Sequence, residues 1–159
     1  MSPDEAHRPA RWDELGVLGR WDEAGAVLAR EARSLVGAGA ELIVLCTNTM
    51  HKVAETIADA VDVPFVHVAD TTAEAVRRAG LASVGLLATA YTMEQDFYVG
   101  RLRDRHGLVM RSLADRGAEG ILLGCTEIDL LVGAEDSPVP VFDTTRLHAE
   151  RAVELALSD

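Results

Sequence analysis

The sequence predicts an α/β protein: two pseudo-symmetric halves, each a parallel sheet with helices on both faces, and an active-site cleft between them. Three observations lead there. Short apolar runs alternate with stretches of helical periodicity, as in a parallel sheet joined by helices. The chain is 48% hydrophobic but holds only three Phe, two Tyr and two Trp, so its core must be built from Ala, Val, Leu and Ile. The order of its residues also repeats. Gly39-Ala40-Glu41, an apolar run and Cys46-Thr47 recur as Gly117-Ala118-Glu119, an apolar run and Cys125-Thr126. Val63-Pro64 to Asp70-Thr71-Thr72 likewise recurs as Val139-Pro140 to Asp143-Thr144-Thr145, although the spacing from Cys to Asp differs. The division falls between residues 1–80, which carry Cys46, and residues 81–159, which carry Cys125.

Each element has its own reason. Residues 1–10 are polar and contain Pro, and read as a flexible arm. RWDELG at 11–16 and RWDEAG at 20–25 read as two helix starts rather than a repeat architecture. Ala24, Val27, Leu28, Ala32 and Leu35 fall at helical spacing, and Gly37 and Gly39 end that helix. The alternation then runs strand 42–45, helix 50–61, strand 65–68 after Pro64, and helix 72–79 ended by Gly80. Strand 84–88 precedes helix 93–105, and 108–110 is a weak strand followed by a short helix around 111–116. Strand 120–123 leads to Cys125, and strand 139–142 to a last helix, 146–157. Strands 108–110 and 120–123, if adjacent and parallel, would have a connection too short for an ordinary crossover. The first half also shows no counterpart to the strand at Val84.

Charge and composition exclude several function classes. The net charge of −11 and the single lysine, Lys52, argue against nucleic acid and anionic membranes as partners. No apolar run approaches the ~20 residues that span a bilayer. The start, Met-Ser-Pro-Asp-Glu-Ala-His, has no signal-peptide pattern, so a cytoplasmic location is expected. In that reducing compartment the two cysteines are expected as free thiols. His51, His67 and His148 are scattered, with no metal-ligand spacing, and the glycines form no nucleotide-binding loop. Neither a metal nor a cofactor is expected.

The cysteines carry the chemistry. Each follows the carboxyl end of a predicted strand, where open α/β sheets bind ligands, and small polar residues come next. Backbone N–H groups there can hold a carboxylate, and a helix N-terminus favours a thiolate. Two thiols facing one carbon from opposite sides suit inversion of a stereocentre: one removes the α-proton and the other delivers a proton to the far face. That scheme requires no cofactor.

Cys46-Thr47-Asn48-Thr49-Met50-His51-Lys52, the run from Thr89 to Tyr98, Gly124-Cys125-Thr126-Glu127-Ile128 and Phe142-Asp143-Thr144-Thr145-Arg146-Leu147-His148-Ala149 together resemble the aspartate/glutamate racemase family. The likeness is nearest to its aspartate and broad-specificity amino-acid racemase branch. It implies a cofactor-independent cysteine pair, Cys46 and Cys125, as acid–bases, a small amino acid or related carboxylate as substrate, and a homodimer. It implies that Asn48, Thr49 and Thr126 hold the substrate's α-carboxylate and amine, with Thr89 and Thr92 at the cleft rim. Glu127 stands where glutamate racemases have His, which points away from strict glutamate specificity. Two parts of the family pattern have no counterpart: an opening strand with a glycine-rich turn, and a segment between Met110 and Arg111. Basic groups that hold a side-chain carboxylate come from those parts, so the resemblance leaves the substrate open.

Plainer roles compete with these. Asn48, Asp70 and Asp143 can be helix caps, Thr89 and Thr92 turn and cap residues, and Glu127 a first-turn carboxylate favoured by the helix dipole. At the level of function the alternatives are isomerisation or decarboxylation of a related carboxylic acid on the same scaffold, or a shortened non-catalytic homologue that binds or dimerises.

Overall fold

The computed structural model describes residues 15–16, 18–111 and 117–158. The arm expected at 1–10 and most of RWDELG lie outside the described residues. The chain forms two compact units, one reaching Ile43 and including Lys52–Pro64, the other comprising Val44–His51 and Phe65–Asp159.

In the first unit, helix α1 (Trp21–Gly37) opens with Asp22 and Glu23 in its first turn, where carboxylates offset the positive end of the helix. It buries Ala24, Gly25, Ala29 and Ala32, a stripe of small residues. Gly39, at φ 100°, turns the chain after the helix, as the Gly37 and Gly39 stop predicts. The helix expected at 50–61 is a 3-10 turn, Thr49–Val53, followed by α2 (Ala54–Ala58). Strand β1 (Ile43–Val44) crosses the sequence boundary between the units and pairs with β2 (Phe65–Val66) in a two-stranded sheet.

The second unit carries the larger sheet. Strands β3 (Ser83–Leu87), β4 (Val109–Arg111), β5 (Gly120–Leu123) and β6 (Val141–Asp143) are all parallel, in the order β4-β3-β5-β6. The α/β class and parallel sheet predicted from sequence are those of the structure. Strand β3 lies between β4 and β5, so the short connection after β4 does not join neighbours. The helix expected around 111–116 has Arg111 in β4 instead, and residues 112–116 lie outside the described residues.

The helices are α3 (Val68–Arg78), α4 (Ala90–Glu94), α5 (Asp96–Asp104) and α6 (Thr144–Ala156). Their core is aliphatic as predicted: Val68, Ala73 and Val76 of α3 meet Val84 and Leu86 of β3, Leu102 of α5 and Leu122 of β5, with Tyr98 the large aromatic exception. The single helix expected at 93–105 is two, because Gln95 adopts an extended conformation between α4 and α5. Helix α3 starts one turn before the predicted 72–79. His67 caps it, its Nδ1 accepting from Ala69 N at 3.1 Å, so the strand expected to reach residue 68 ends at Val66. Asp70 is therefore not a cap. It lies inside the helix and takes a two-pronged bond from Arg101, 2.7 Å on each oxygen, and one from His106 Nε2 at 2.7 Å. Burial alone would raise the Asp70 carboxyl, but these donors hold it well below the usual range. Asp143 does cap, accepting from Arg146 N at 2.9 Å at the start of α6.

Candidate active site

Cys46 stands in the turn after β1, where the apolar run gives out. Thr47 N donates to Leu45 O at 2.9 Å, closing a tight bend, and His51 N donates to Asn48 O at 3.2 Å as the 3-10 turn begins. Both cysteines are free thiols, Cys46 exposed and Cys125 half-buried. The turn lines a pocket of about 110 Å3 that is open to solvent. Cys46, Thr47 and Asn48 come from that turn, Val68 from the first turn of α3, and Thr126 from the segment after β5. Thr145, His148 and Ala149 complete it from one face of α6. Asn48 does not act as a side-chain cap: its Oδ1 is buried without a hydrogen-bond partner. A buried orphan acceptor is costly, and a donor-bearing ligand in the pocket would relieve it.

Cys125 is placed by close packing. A Cβ on Gly124 would lie 3.0 Å from Leu86 Cδ1 and 3.1 Å from Ala88 Cβ, so glycine lets β5 run tight against the end of β3. Gly124 N donates to Leu87 O at 2.9 Å, and buried Thr144 donates its hydroxyl to Leu123 O at 2.7 Å. Beyond the strand the Cys125 thiol donates to Glu127 Oε2 at 2.9 Å, and the Thr126 hydroxyl donates to the same oxygen at 3.0 Å. These two donors hold the Glu127 carboxyl below its ordinary range. The arrangement ties the Cys125 thiol to an ionised carboxylate.

Three histidines that look scattered in sequence are neighbours. His51 lies 4.5 Å from His67 and 5.8 Å from His148 between ring centroids, and all three are buried. Burial pushes the His51 imidazole down to about 4 and lowers His67 and His148 as well. Each ring is therefore neutral near pH 7. His148 donates from Nε2 to Val66 O at 2.7 Å. Among the described residues no group of three or more His, Cys, Asp and Glu side chains is arranged to hold a metal ion.

Of the predicted site residues, the pocket gathers Cys46, Asn48 and Thr126. Cys125 and Glu127 join Thr126 through the shared carboxylate, and Thr49 begins the 3-10 turn. Thr89 and Thr92 do not line the pocket. Thr89 caps α4, its Oγ1 accepting from Thr92 N at 3.5 Å, and buried Thr92 shares a hydroxyl contact with it at 3.2 Å. Sequence reasoning missed Thr145, His148 and Ala149 as lining residues, although their i, i+3, i+4 spacing marks one helix face. It also missed Asp129, whose carboxylate oxygens are both buried without hydrogen-bond partners. Burial and the neighbouring Asp143 carboxylate push Asp129 up to about 6. No helix among the described residues is long and apolar enough to cross a membrane.

Comparison with known proteins agrees with this geometry. Residues 16–111 match the family model described as Asp/Glu/Hydantoin racemase. A Yersinia pestis crystal structure classed as an Asp/Glu racemase is 40% identical, with a TM-score of 0.89 over 94% of this chain and 80% of that one. An aspartate racemase homologue from Pyrococcus horikoshii OT3 is 31% identical, with a TM-score of 0.80 over 87% of this chain and 76% of its own. An arylmalonate decarboxylase shares the fold alone, at 20% identity and a TM-score of 0.58 over 86% of this chain and 77% of that one. A free thiol at the mouth of a pocket, a second thiol tied to a carboxylate, and these matches along most of the chain lead to one conclusion: the chain belongs to the Asp/Glu/hydantoin racemase family.

Proposed function

We propose that this protein inverts the α-carbon of a small amino acid, aspartate being the leading candidate, by proton transfer between two cysteines without a cofactor. One observation carries the reading: Cys46 shares a pocket with Thr126, the residue beside Cys125, and with the orphan Oδ1 of Asn48. Asn48 Oδ1 accepts from the substrate ammonium, while Thr126 and Thr49 donate to its carboxylate. The thiolate of one cysteine takes the α-proton, and the opposite thiol protonates the other face of the carbanion. In this mechanism Glu127 relays the Cys125 proton, a role supported by the hydrogen bond it accepts from that thiol. Thr89 and Thr92 act at the rim only indirectly, by fixing α4.

Residues 1–80 and 81–159 act as duplicated halves in this reading. The matched bonds Ile43 N to Pro64 O and Ile121 N to Pro140 O, each 2.8 Å, support the duplication. A homodimeric assembly and a cytoplasmic setting belong to the same proposal and rest on family membership.

The test is α-proton exchange in D2O, followed by proton NMR, with L-aspartate, D-aspartate and a panel of amino acids. Exchange that vanishes in Cys46→Ala and in Cys125→Ala supports the reading, and the fastest substrate identifies the enzyme. A folded wild-type protein that exchanges none of the panel refutes it. Decarboxylation of a dicarboxylate without α-exchange would assign the scaffold to the other chemistry.

A further inference from the structure

We infer that His51 is a positioning residue that holds the Cys46 turn against the first residue of α3 through a single neutral tautomer. The inference rests on the racemase reading for its catalytic meaning, but its geometry stands apart from it.

His51 is 3% exposed and both its ring nitrogens are engaged. Nδ1 donates to Thr47 O at 2.6 Å, and Nε2 accepts from Val68 N at 3.2 Å. The two partners demand opposite roles: a carbonyl needs a donor, and a backbone amide needs an acceptor. Only the neutral ring protonated at Nδ1 meets both demands. Burial keeps the ring in that neutral form, since its imidazole is lowered to about 4.

The two anchors, Thr47 and Val68, both line the pocket. The Thr47 peptide is pinned at both ends, its N–H on Leu45 O and its carbonyl on His51. Cys46 and Asn48 flank that peptide and both line the pocket, so its orientation sets where the thiol and the amide point. Val68 also lines the pocket, and its N–H is one of the donors a helix N-terminus leaves without an internal acceptor. One ring thus ties the turn that carries Cys46 to the first residue of α3. His67 and His148 pack against the ring, and Asp70 and Arg101 supply the nearest charges acting on it. A turn freed from this tie loses the registration that proton transfer requires, and misplacement of about 1 Å costs on the order of 100-fold in rate.

Two measurements test the proposal, and neither depends on turnover. In wild-type protein labelled with 15N, two-bond 15N–1H correlation at pH 7 reads the tautomer of His51. Protonation at Nδ1 is expected, and protonation at Nε2 or on both nitrogens overturns the proposal. The second measurement is the iodoacetamide alkylation rate of Cys46 in a Cys125→Ala background, with folding checked by circular dichroism. His51→Asn places an amide N–H near the Nδ1 position and keeps the bond to Thr47, so its alkylation rate is expected within about threefold of the parent. His51→Gln keeps an acceptor for Val68 but loses the Thr47 bond, and is expected to change the rate tenfold or more. Equal rates in both folded variants overturn the proposal, and so does a change confined to His51→Asn. In the otherwise unaltered enzyme, His51→Gln is expected to lower kcat more than it raises KM, with His51→Asn restoring most of kcat. Absence of α-exchange in wild type refutes the racemase reading alone and leaves the tautomer and alkylation results to decide on His51.

Discussion

The segments around Cys46 and Cys125 share several backbone features and differ in their polar chemistry. Gly39 and Gly117 both adopt positive φ, 100° and 87°, a few residues before the strand. Four residues after each glycine, Ile43 and Ile121 donate to Pro64 O and Pro140 O at the same 2.8 Å. Three residues after each of those prolines, a side chain caps the next helix: His67 in one copy, Asp143 in the other. The structure therefore aligns Asp143 with His67, whereas the repeated Asp-Thr-Thr text aligns it with Asp70, one helical turn away. The same contrast runs through both sites. Neutral imidazoles of His51, His67 and His148 surround the first turn, and the carboxylates Glu127, Asp129 and Asp143 follow the second cysteine. A shared backbone plan tolerates different polar contacts, because each contact needs only a donor or acceptor of the right reach.

The strongest break in the comparison is removal of either thiol. Cys46→Ala and Cys125→Ala should each reduce α-proton exchange by roughly 1000-fold, since in the proposed mechanism each supplies one acid–base group. A large loss in only one of them would end the symmetry of function while leaving that of structure.

Acid separates the segments next. His51 falls to about 4 and His67 also drops, below the ordinary histidine value, so the fold favours their neutral forms. The stability this confers is present above about pH 6.5 and declines as pH falls toward the folded-state values, by roughly 3 kcal/mol for the two between pH 6.5 and 5. Urea unfolding at pH 7 and pH 5 measures it, and His67→Asn should flatten the slope. Gly124→Ala should cost about 2 kcal/mol by urea unfolding, because the added methyl must displace Leu86 and Ala88. The first copy has Leu45 ahead of its cysteine and lacks this constraint. Glu127→Gln should slow turnover by roughly tenfold and leave Cys46 alkylation unchanged, since only the Cys125 thiol loses its proton acceptor.

The smallest effect runs opposite to the histidines. Asp129 is raised to about 6, so the folded state holds its proton more tightly than the unfolded chain. That contribution is complete below about pH 4 and is lost as pH rises through 6. Asp129→Asn should therefore raise stability by about 1 kcal/mol at pH 7.5, after allowance for solvent screening, and change little at pH 4.5. Thermal melts at the two pH values report the difference.

Strands β3 and β5 were legible because Val84 to Ala88 and Ile121 to Leu123 are apolar runs bracketed by small residues, a local signal. The position of both cysteines just beyond a strand was legible because polar side chains follow each apolar run abruptly. The start of α3 was not, since histidine is not among the usual N-capping residues and Asp-Thr-Thr offers a more familiar cap one turn later. The histidine cluster was hidden for a different reason. Residues 51, 67 and 148 come from separate elements, and only tertiary packing brings their rings together. Asp129 in a polar turn reads as solvated, and nothing local reveals that its oxygens are shielded. Thr89 and Thr92 illustrate the converse: their spacing suits a cap or a binding loop equally, and the structure uses it for the cap.

The order of the sheet also bears on how the chain is made. Strand β3 has β4 on one side and β5 on the other, both later in the sequence, and β6 adds beyond β5. During synthesis the sheet can grow outward only after its middle strand has emerged. The Cys46 turn leaves the ribosome early, yet Thr145, His148 and Ala149, which close its pocket, come from the last helix. A chain halted before α6 would present a bare thiol and an uncovered apolar wall to its surroundings. Aggregation or mixed-disulfide capture of nascent chains is the hazard that follows from placing a reactive group first and its cover last.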